Sequence, residues 1–132
     1  MLPTYRALEV ICECCKALDY SHRQDILHRD IKPANIKLTD NNYIVLLDFG
    51  LSKGGSVNSR HMTTGKWSLY GYTPYYAPLE QIEGTGTDQR SDLYSLGTTL
   101  YHLLSGIQLP SAVTRARAQL SQAPDPLRPL HE

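Results

Sequence analysis

The chain has 132 residues, which is long enough for one domain with a hydrophobic core. Its 13 basic residues balance its 13 acidic ones, so it lacks both the basic surplus typical of nucleic-acid-binding domains and the acidic surplus typical of disordered tails. The region after Met1 does not resemble a signal peptide, because Arg6, Glu9 and Glu13 interrupt its apolar residues.

The first predicted element is an amphipathic helix from Thr4 to about His22, with Thr4 as its N-cap. Apolar residues recur there at steps of three and four, which is the spacing of one helical face. The residues of this predicted buried stripe are Leu8, Ile11, Cys15 and Leu18.

Three cysteines, Cys12, Cys14 and Cys15, lie within this helix. Cys12 and Cys15 share a face, as half of a metal site would require, but no second pair of ligands follows nearby in the sequence. The odd number of cysteines argues against a disulfide framework. We therefore predict that they are small buried hydrophobic residues in a reducing compartment.

Two short strands are predicted from Ile36 to Thr39 and from Tyr43 to Leu47. The residues between them, Asp40-Asn41-Asn42, favour a tight turn, so we predict that the two strands form a β-hairpin. The stretch from Gly50 to Pro78 has no sustained period, and an irregular stretch of that length is typical of a functional or disordered loop.

A second long helix is predicted from Leu93 to Ser105, ended by Gly106. It contains no Asp, Glu, Lys or Arg and is apolar on several sides, which indicates a buried helix too short to span a bilayer. A shorter helix from Ser111 to Leu120 follows, and a proline-rich tail ends the chain.

Four sequence motifs carry a resemblance to a known family. His28-Arg29-Asp30-Ile31-Lys32-Pro33-Ala34-Asn35 and Asp48-Phe49-Gly50 resemble the catalytic loop and the metal-binding loop of the protein kinases. Gly71 to Glu80 is similar to the end of their activation segment, and Ser91 to Gly97 to the start of their central helix. The sequence Ala77-Pro78-Leu79-Glu80-Gln81 most resembles that of bacterial Ser/Thr kinases, although Leu79 adds a residue to the usual Ala-Pro-Glu.

The resemblance implies roles for four residues of these loops. Asp30 would accept the proton of the substrate hydroxyl, while Asn35 and Asp48 would hold the Mg²⁺ ions that bridge the phosphates of ATP. Lys32 would contact the γ-phosphate. Because tyrosine kinases usually lack a lysine there, Lys32 favours Ser/Thr substrates.

Further residues would have structural or regulatory roles by the same resemblance. Thr73 would face the catalytic aspartate, and Asp92 would accept hydrogen bonds from the backbone of the catalytic loop. Glu80 would form an ion pair whose arginine lies beyond Glu132. The remaining structural residues of the motifs are His28, Phe49 and Gly50.

Arg29 would pair with a phosphate on the activation segment. We hypothesise that Thr63, Thr64 or Ser68 is the phosphorylated residue, because a charge that an arginine can pair would order the segment.

The implied fold is α+β: a partial protein-kinase-like fold with a mainly helical C-terminal lobe and a short β-hairpin at the catalytic loop. Residues 1–132 would form a partial kinase domain with the catalytic loop at 28–36, the metal-binding loop at 48–50, the activation segment at 48–80 and the central helix at about 91–105. The glycine-rich loop and the strand lysine that should precede the catalytic loop are missing from the sequence. We therefore expect a fragment without the N-terminal lobe and the last helices.

The expected function is ATP-dependent phosphorylation of protein Ser/Thr residues, in the cytoplasm, by a longer parent chain. The alternative is an inactive, truncated kinase lobe that acts as a binding module or has no function. A small-molecule phosphotransferase is disfavoured by Lys32 and by the segment from Thr73 to Glu80. We expect no nucleic-acid partner, no membrane segment, an exposed apolar face on the central helix and marginal stability of the isolated chain.

Overall fold

The computed structural model describes residues 1–49 and 73–130. This part of the chain is mainly helical, with one two-stranded antiparallel sheet, which agrees with the expected α+β class. In chain order the elements are α1 (Thr4–His22), a 3₁₀ turn (Pro33–Asn35), β1 (Ile36–Leu38), β2 (Ile44–Leu46), α2 (Leu79–Glu83), α3 (Gln89–Ser105) and α4 (Ala112–Leu120). Gly50, most of the activation segment and the three candidate phosphorylation sites lie outside the described residues.

Helix α1 has the predicted bounds but buries a different face. Its buried residues are Ala7, Val10, Cys14, Leu18 and Ser21. Leu8 is 48% exposed and Cys15 is also exposed, so of the predicted stripe only Leu18 is fully buried. The helix carries apolar residues on two neighbouring stripes, and their spacing is helical in both cases.

The predicted N-cap of α1 is wrong by one residue. Thr4 is already helical, and Pro3 is the N-cap, with φ −56° and ψ 142°. The carbonyl of Pro3 accepts the backbone N–H groups of Arg6 and Ala7, both at 3.0 Å, and no side chain caps this end. The proline ring fixes φ of the N-cap residue, so the backbone enters the helix in a defined direction although no side-chain hydroxyl caps it.

Only one of the three cysteines is the buried hydrophobic residue that the sequence predicts. Cys14 is 1% exposed, whereas Cys12 and Cys15 lie on the surface of α1. Among residues 1–49 and 73–130, no three His, Cys, Asp or Glu side chains are grouped as a metal site requires.

The β-hairpin is confirmed, with strands one or two residues shorter than predicted. Ile36 lies opposite Leu46 and Leu38 opposite Ile44. The turn contains Asn42 at φ +62°, a conformation that asparagine tolerates better than most residues. The hairpin brings the residues after β2 alongside the start of β1.

Helix α3 begins at Gln89, four positions before the predicted start at Leu93. Asp88 caps it, because its carboxylate accepts the N–H of Arg90 at 2.8 Å. The hydroxyl of Ser91 accepts the N–H of Asp88 at 3.3 Å and completes a capping box. The helix ends at Gly106 with φ +73°, as the sequence predicts.

The buried face of α3 is largely polar rather than leucine-rich. Ser95, Thr98 and Thr99 are all nearly inaccessible, and the hydroxyls of Thr98 and Thr99 donate to the carbonyl four residues earlier, at 2.9 and 2.8 Å. The single hydroxyl proton of Ser95 is shared between the carbonyl of Ser91 at 3.2 Å and that of Tyr76 at 2.8 Å. These internal bonds allow the hydroxyls to be buried at low cost. Leu93, by contrast, is 54% exposed, so the helix is not buried on every side, and an apolar residue lies on its exposed face as expected.

The core is formed where α1, α3 and β2 meet. Its members are Val10, Cys14, Leu18, Ile31, Leu46 and Leu96. The N–H of Leu2 bonds to the carbonyl of Leu103 at 2.7 Å and ties the start of the chain to the last turn of α3. Within the described part of the chain, no helix has both the length and the apolar character needed to cross a bilayer.

We expect Leu18→Ala to lower the free energy of unfolding by about 2–5 kcal/mol, because it opens a cavity in this core. The matched control is Leu8→Ala, at a site that is 48% exposed, with an expected effect below about 1 kcal/mol. Urea unfolding followed by circular dichroism measures both. Equal losses in the two variants would show that α1 buries the other stripe.

We also expect the stability of the chain to fall as the pH rises between about 9 and 11. Burial raises the pKa of the Cys14 thiol from 9.0 to about 11, and Cys15 and Glu13 add to the shift. The unfolded state then loses the proton first, so stability that is present below pH 9 is lost towards pH 11. Cys14→Ala, unfolded in urea at the same pH values, should show a shallower fall; an unchanged slope would contradict this assignment.

Candidate active site

The catalytic-loop motif is held by a buried carboxylate on α3. Asp92 is 1% exposed, and its two oxygens accept the backbone N–H groups of His28 and Arg29, both at 2.8 Å. Arg29 has φ +65°, which is unfavourable for a residue with a side chain. The two hydrogen bonds compensate for this strain and fix the direction in which the chain continues to Asp30.

A third group reaches the same carboxylate. Nε2 of His22, at the end of α1, lies 2.7 Å from Oδ2 of Asp92. The carbonyl of His22 also accepts a hydrogen bond from Gln89 at 3.4 Å. His22 belongs to none of the sequence motifs, and its partner Asp92 lies 70 positions along the chain.

His28 connects the catalytic loop to the metal-binding loop. Its Nδ1 accepts the N–H of Asp30 at 3.2 Å, so the ring proton is on Nε2, which donates to the carbonyl of Leu47 at 2.7 Å. The ring meets Phe49 edge-on, with centroids 4.7 Å apart. The two motifs are therefore joined directly by side-chain contacts.

Three side chains meet at the carboxylate of Asp30. Oδ1 accepts the hydroxyl of Thr73 at 3.1 Å, and Oδ2 accepts Nζ of Lys32 at 2.8 Å and Nδ2 of Asn35 at 3.1 Å. Lys32 also donates to the Thr73 hydroxyl at 2.7 Å. Three donors fix the orientation of a carboxylate that is 9% exposed.

Asn35 and Asp48 present oxygen atoms suited to a hard cation. The amide nitrogen of Asn35 donates to both the carbonyl and the carboxylate of Asp30, which leaves its Oδ1 as the acceptor atom. The carbonyl of Asn35 accepts the N–H of Leu47 at 2.7 Å, immediately before exposed Asp48. Amide and carboxylate oxygens are the ligands that Mg²⁺ prefers, so the donor set fits this ion.

Helix α2 is tied to the catalytic loop and to α3 by polar side chains. Gln81 donates to the carbonyl of Arg29 at 2.6 Å, and the Ser91 hydroxyl donates to Glu80 at 2.7 Å. The hydroxyl of Ser95 donates to the carbonyl of Tyr76 at 2.8 Å. Among the described residues, the carboxylate of Glu80 thus accepts a hydrogen bond from a hydroxyl. The arginine expected to pair with Glu80 lies beyond Glu132 by the family resemblance.

Three of the residues singled out from the sequence, Lys32, Asn35 and Thr73, contact the carboxylate of Asp30. The contacts described above connect His28, Arg29, Phe49 and Asp92 to the same loop, while Glu80 contacts Ser91 on α3. Asp48 follows Leu47, whose N–H bonds to the carbonyl of Asn35. Four supporting residues were missed: His22, Gln81, Ser91 and Ser95. They have no motif of their own, and their contacts join positions that are distant in the sequence.

Comparison with known proteins identifies the family of the chain. The sequence model of the protein kinase domain matches residues 1–125. The chain belongs to the protein kinase family. Among its relatives, this kinase chain is 42% identical over 101 residues to the serine/threonine-protein kinase PknB of Mycolicibacterium smegmatis and 43% identical to PknB of Mycobacterium tuberculosis. It is also 44% identical over 100 residues to a probable serine/threonine-protein kinase of Streptomyces coelicolor.

The relatives place the kinase chain, by family, among the bacterial protein serine/threonine kinases. Each of these alignments covers 76% of this chain. The chain spans only 15–16% of the length of these three relatives.

We expect Asp92→Ala to destabilise the kinase chain by about 2–5 kcal/mol, because it leaves two buried backbone N–H groups without their acceptor. Asp19→Ala is the matched control. Asp19 is 63% exposed and pairs with Arg23 on the surface of α1, so its loss should cost less than about 1 kcal/mol. Urea unfolding measures both variants. A cost for Asp92→Ala that is no larger than the control would show that the carboxylate does not hold the loop.

Proposed function

We propose that this chain forms the helical C-terminal lobe of a protein Ser/Thr kinase, and that it transfers the γ-phosphate of ATP to Ser or Thr hydroxyls as part of a longer chain. The observation that carries the proposal is the meeting of Asp30, Lys32 and Thr73 within hydrogen-bond distance of one another. The nucleotide-binding glycine-rich loop and strand lysine would come from the rest of that chain.

In this proposal Asp30 is the base. Its carboxylate is held by donors on both oxygens, so it can orient an incoming hydroxyl and take up its proton without first reorganising. A substrate hydroxyl would donate its hydrogen bond to Oδ1 of Asp30, which now accepts the hydroxyl of Thr73.

Lys32 would contact the transferring phosphoryl group. Its ammonium already lies between Asp30 and Thr73, so it carries a positive charge next to the base. Negative charge on the phosphoryl oxygens is stabilised by a cation fixed in this position.

Asn35 and Asp48 would hold Mg²⁺ with the phosphates of ATP. When bound, the ion supplies the positive charge that neutralises the phosphates. The chain's own contribution is to keep the two ligands in register, through the bond from Leu47 to Asn35. Lys37 is an exposed residue of β1, and its stem would lie along the adenine base with its ammonium in solvent.

The regulatory part of the proposal rests on Arg29. It precedes the base and has φ +65°. Thr63, Thr64 and Ser68 lie between Asp48 and Glu80 in the sequence. A phosphate on one of these residues would pair with Arg29 and order the segment.

The alternative is a chain that binds a partner without catalysis. Gly84-Thr85-Gly86 directly follows helix α2 rather than a strand, so it does not resemble a glycine-rich nucleotide loop. The activity of the chimera described next distinguishes this alternative from catalysis.

A chimera tests the proposed catalysis. The segment of the M. smegmatis PknB kinase domain that aligns with this chain is replaced by the chain itself, and transfer of radiolabelled phosphate to a generic protein substrate is measured. We expect phosphoserine and phosphothreonine but no phosphotyrosine. Asp30→Asn should lower kcat by at least about 10²-fold, since it removes the base and keeps the shape. Residues 1–132 alone should show no turnover of ATP.

Asp25→Asn is the matched control for this series. Asp25 is exposed and has φ 56°, which asparagine also adopts, so the variant removes a carboxylate near the loop and should keep full activity. A folded chimera without activity, or one that is equally active with Asp30→Asn, would contradict the catalytic proposal and favour the binding module.

A further inference from the structure

Two thiols lie together on the outer face of α1. Cys12 and Cys15 are both exposed and three positions apart, which places them on one side of the helix. Cys14 points the other way and is 1% exposed in the core. The proposed kinase chemistry uses none of these cysteines.

The two exposed thiols are close enough to influence each other. Partial burial raises the pKa of Cys15, and a negative charge on Cys12 raises it further. A binding partner that accepts both sulfurs at once removes this repulsion, because both charges are then shared with one centre.

We propose that Cys12 and Cys15 form a dithiol site for soft, thiophilic metal or metalloid centres that bind two sulfur ligands. Thiolates are soft ligands and select soft centres. Because no third metal ligand is grouped with them among the described residues, the centre must bring its own remaining substituent. A monosubstituted trivalent arsenical meets this requirement, since its organic group is the third substituent.

The reaction with such an arsenical, an R–As=O compound, is a condensation. Two As–S bonds form, the arsenic–oxygen bond breaks, and the oxygen leaves as one water molecule with the two thiol protons. No electrons are transferred, so neither an oxidant nor a reductant is needed.

Cys14 does not belong to this site. Burial raises its pKa to about 11, so its thiolate is scarce at neutral pH, and the core blocks access to the sulfur. Neighbouring positions of a helix do not face each other, so Cys14 and Cys15 cannot both bind one metal or metalloid centre while α1 is intact.

Phenylarsine oxide is the probe that tests the proposal. The reduced chain of 132 residues is titrated with it, and the adduct is measured by intact-mass spectrometry in the presence of excess 2-mercaptoethanol. We expect one adduct per chain. Cys12→Ser and Cys15→Ser should each weaken binding by at least about 10-fold, because the second sulfur no longer binds within the same molecule. Cys14→Ala is the matched control and should bind as the unmodified chain does.

Alkylation mapping of the unmodified chain makes the test independent of whether the variants fold. The arsenical should protect Cys12 and Cys15 from iodoacetamide and leave the slow labelling of Cys14 unchanged. Protection of Cys14 together with Cys15, or an adduct that survives in Cys12→Ser with undiminished affinity, would overturn the proposal.

Discussion

The candidate active site depends on one buried carboxylate, that of Asp92. An ionised group inside a protein is costly unless hydrogen bonds replace its water, and here two backbone N–H groups and His22 do so. The same bonds hold Arg29 in a backbone conformation that it would otherwise avoid. The same hydrogen bonds therefore stabilise both the buried carboxylate and the strained backbone of Arg29. They also determine where the side chain of Asp30 lies.

Polar contacts, together with the buried residues Tyr76 and Ala77, position the segment from Thr73 to helix α2. Helix α2 and the residues before it are attached through side-chain bonds to backbone carbonyls, from Gln81 to Arg29 and from Ser95 to Tyr76. Such directional bonds fix register more closely than contact between apolar surfaces does. They bring Thr73 to the base from a part of the chain more than forty positions away, as its separation of 43 from Asp30 shows.

Local signals in the sequence were sufficient for the bounds of α1, for the hairpin and for the stop at Gly106, because periodicity, turn residues and a glycine with positive φ act over a few positions. The motifs also identified most of the residues around Asp30. The buried stripe of α1 was predicted wrongly because two stripes have helical spacing and only the packing partner decides between them. The hydroxyl-rich face of α3 was missed because hydroxyls satisfied by the preceding turn behave as small core residues. His22 was missed because its partner lies 70 positions along the chain.

These separations also affect how the chain is synthesised. The backbone of His28 meets its acceptor 64 positions later, and Leu2 meets Leu103 later still. At a translation rate of about 5–20 residues per second, His28 is synthesised roughly 3–13 s before Asp92. Helix α1 and the hairpin need only local contacts, so they can form during that interval. The backbone N–H groups of His28 and Arg29 therefore lack their acceptor until α3 has been synthesised.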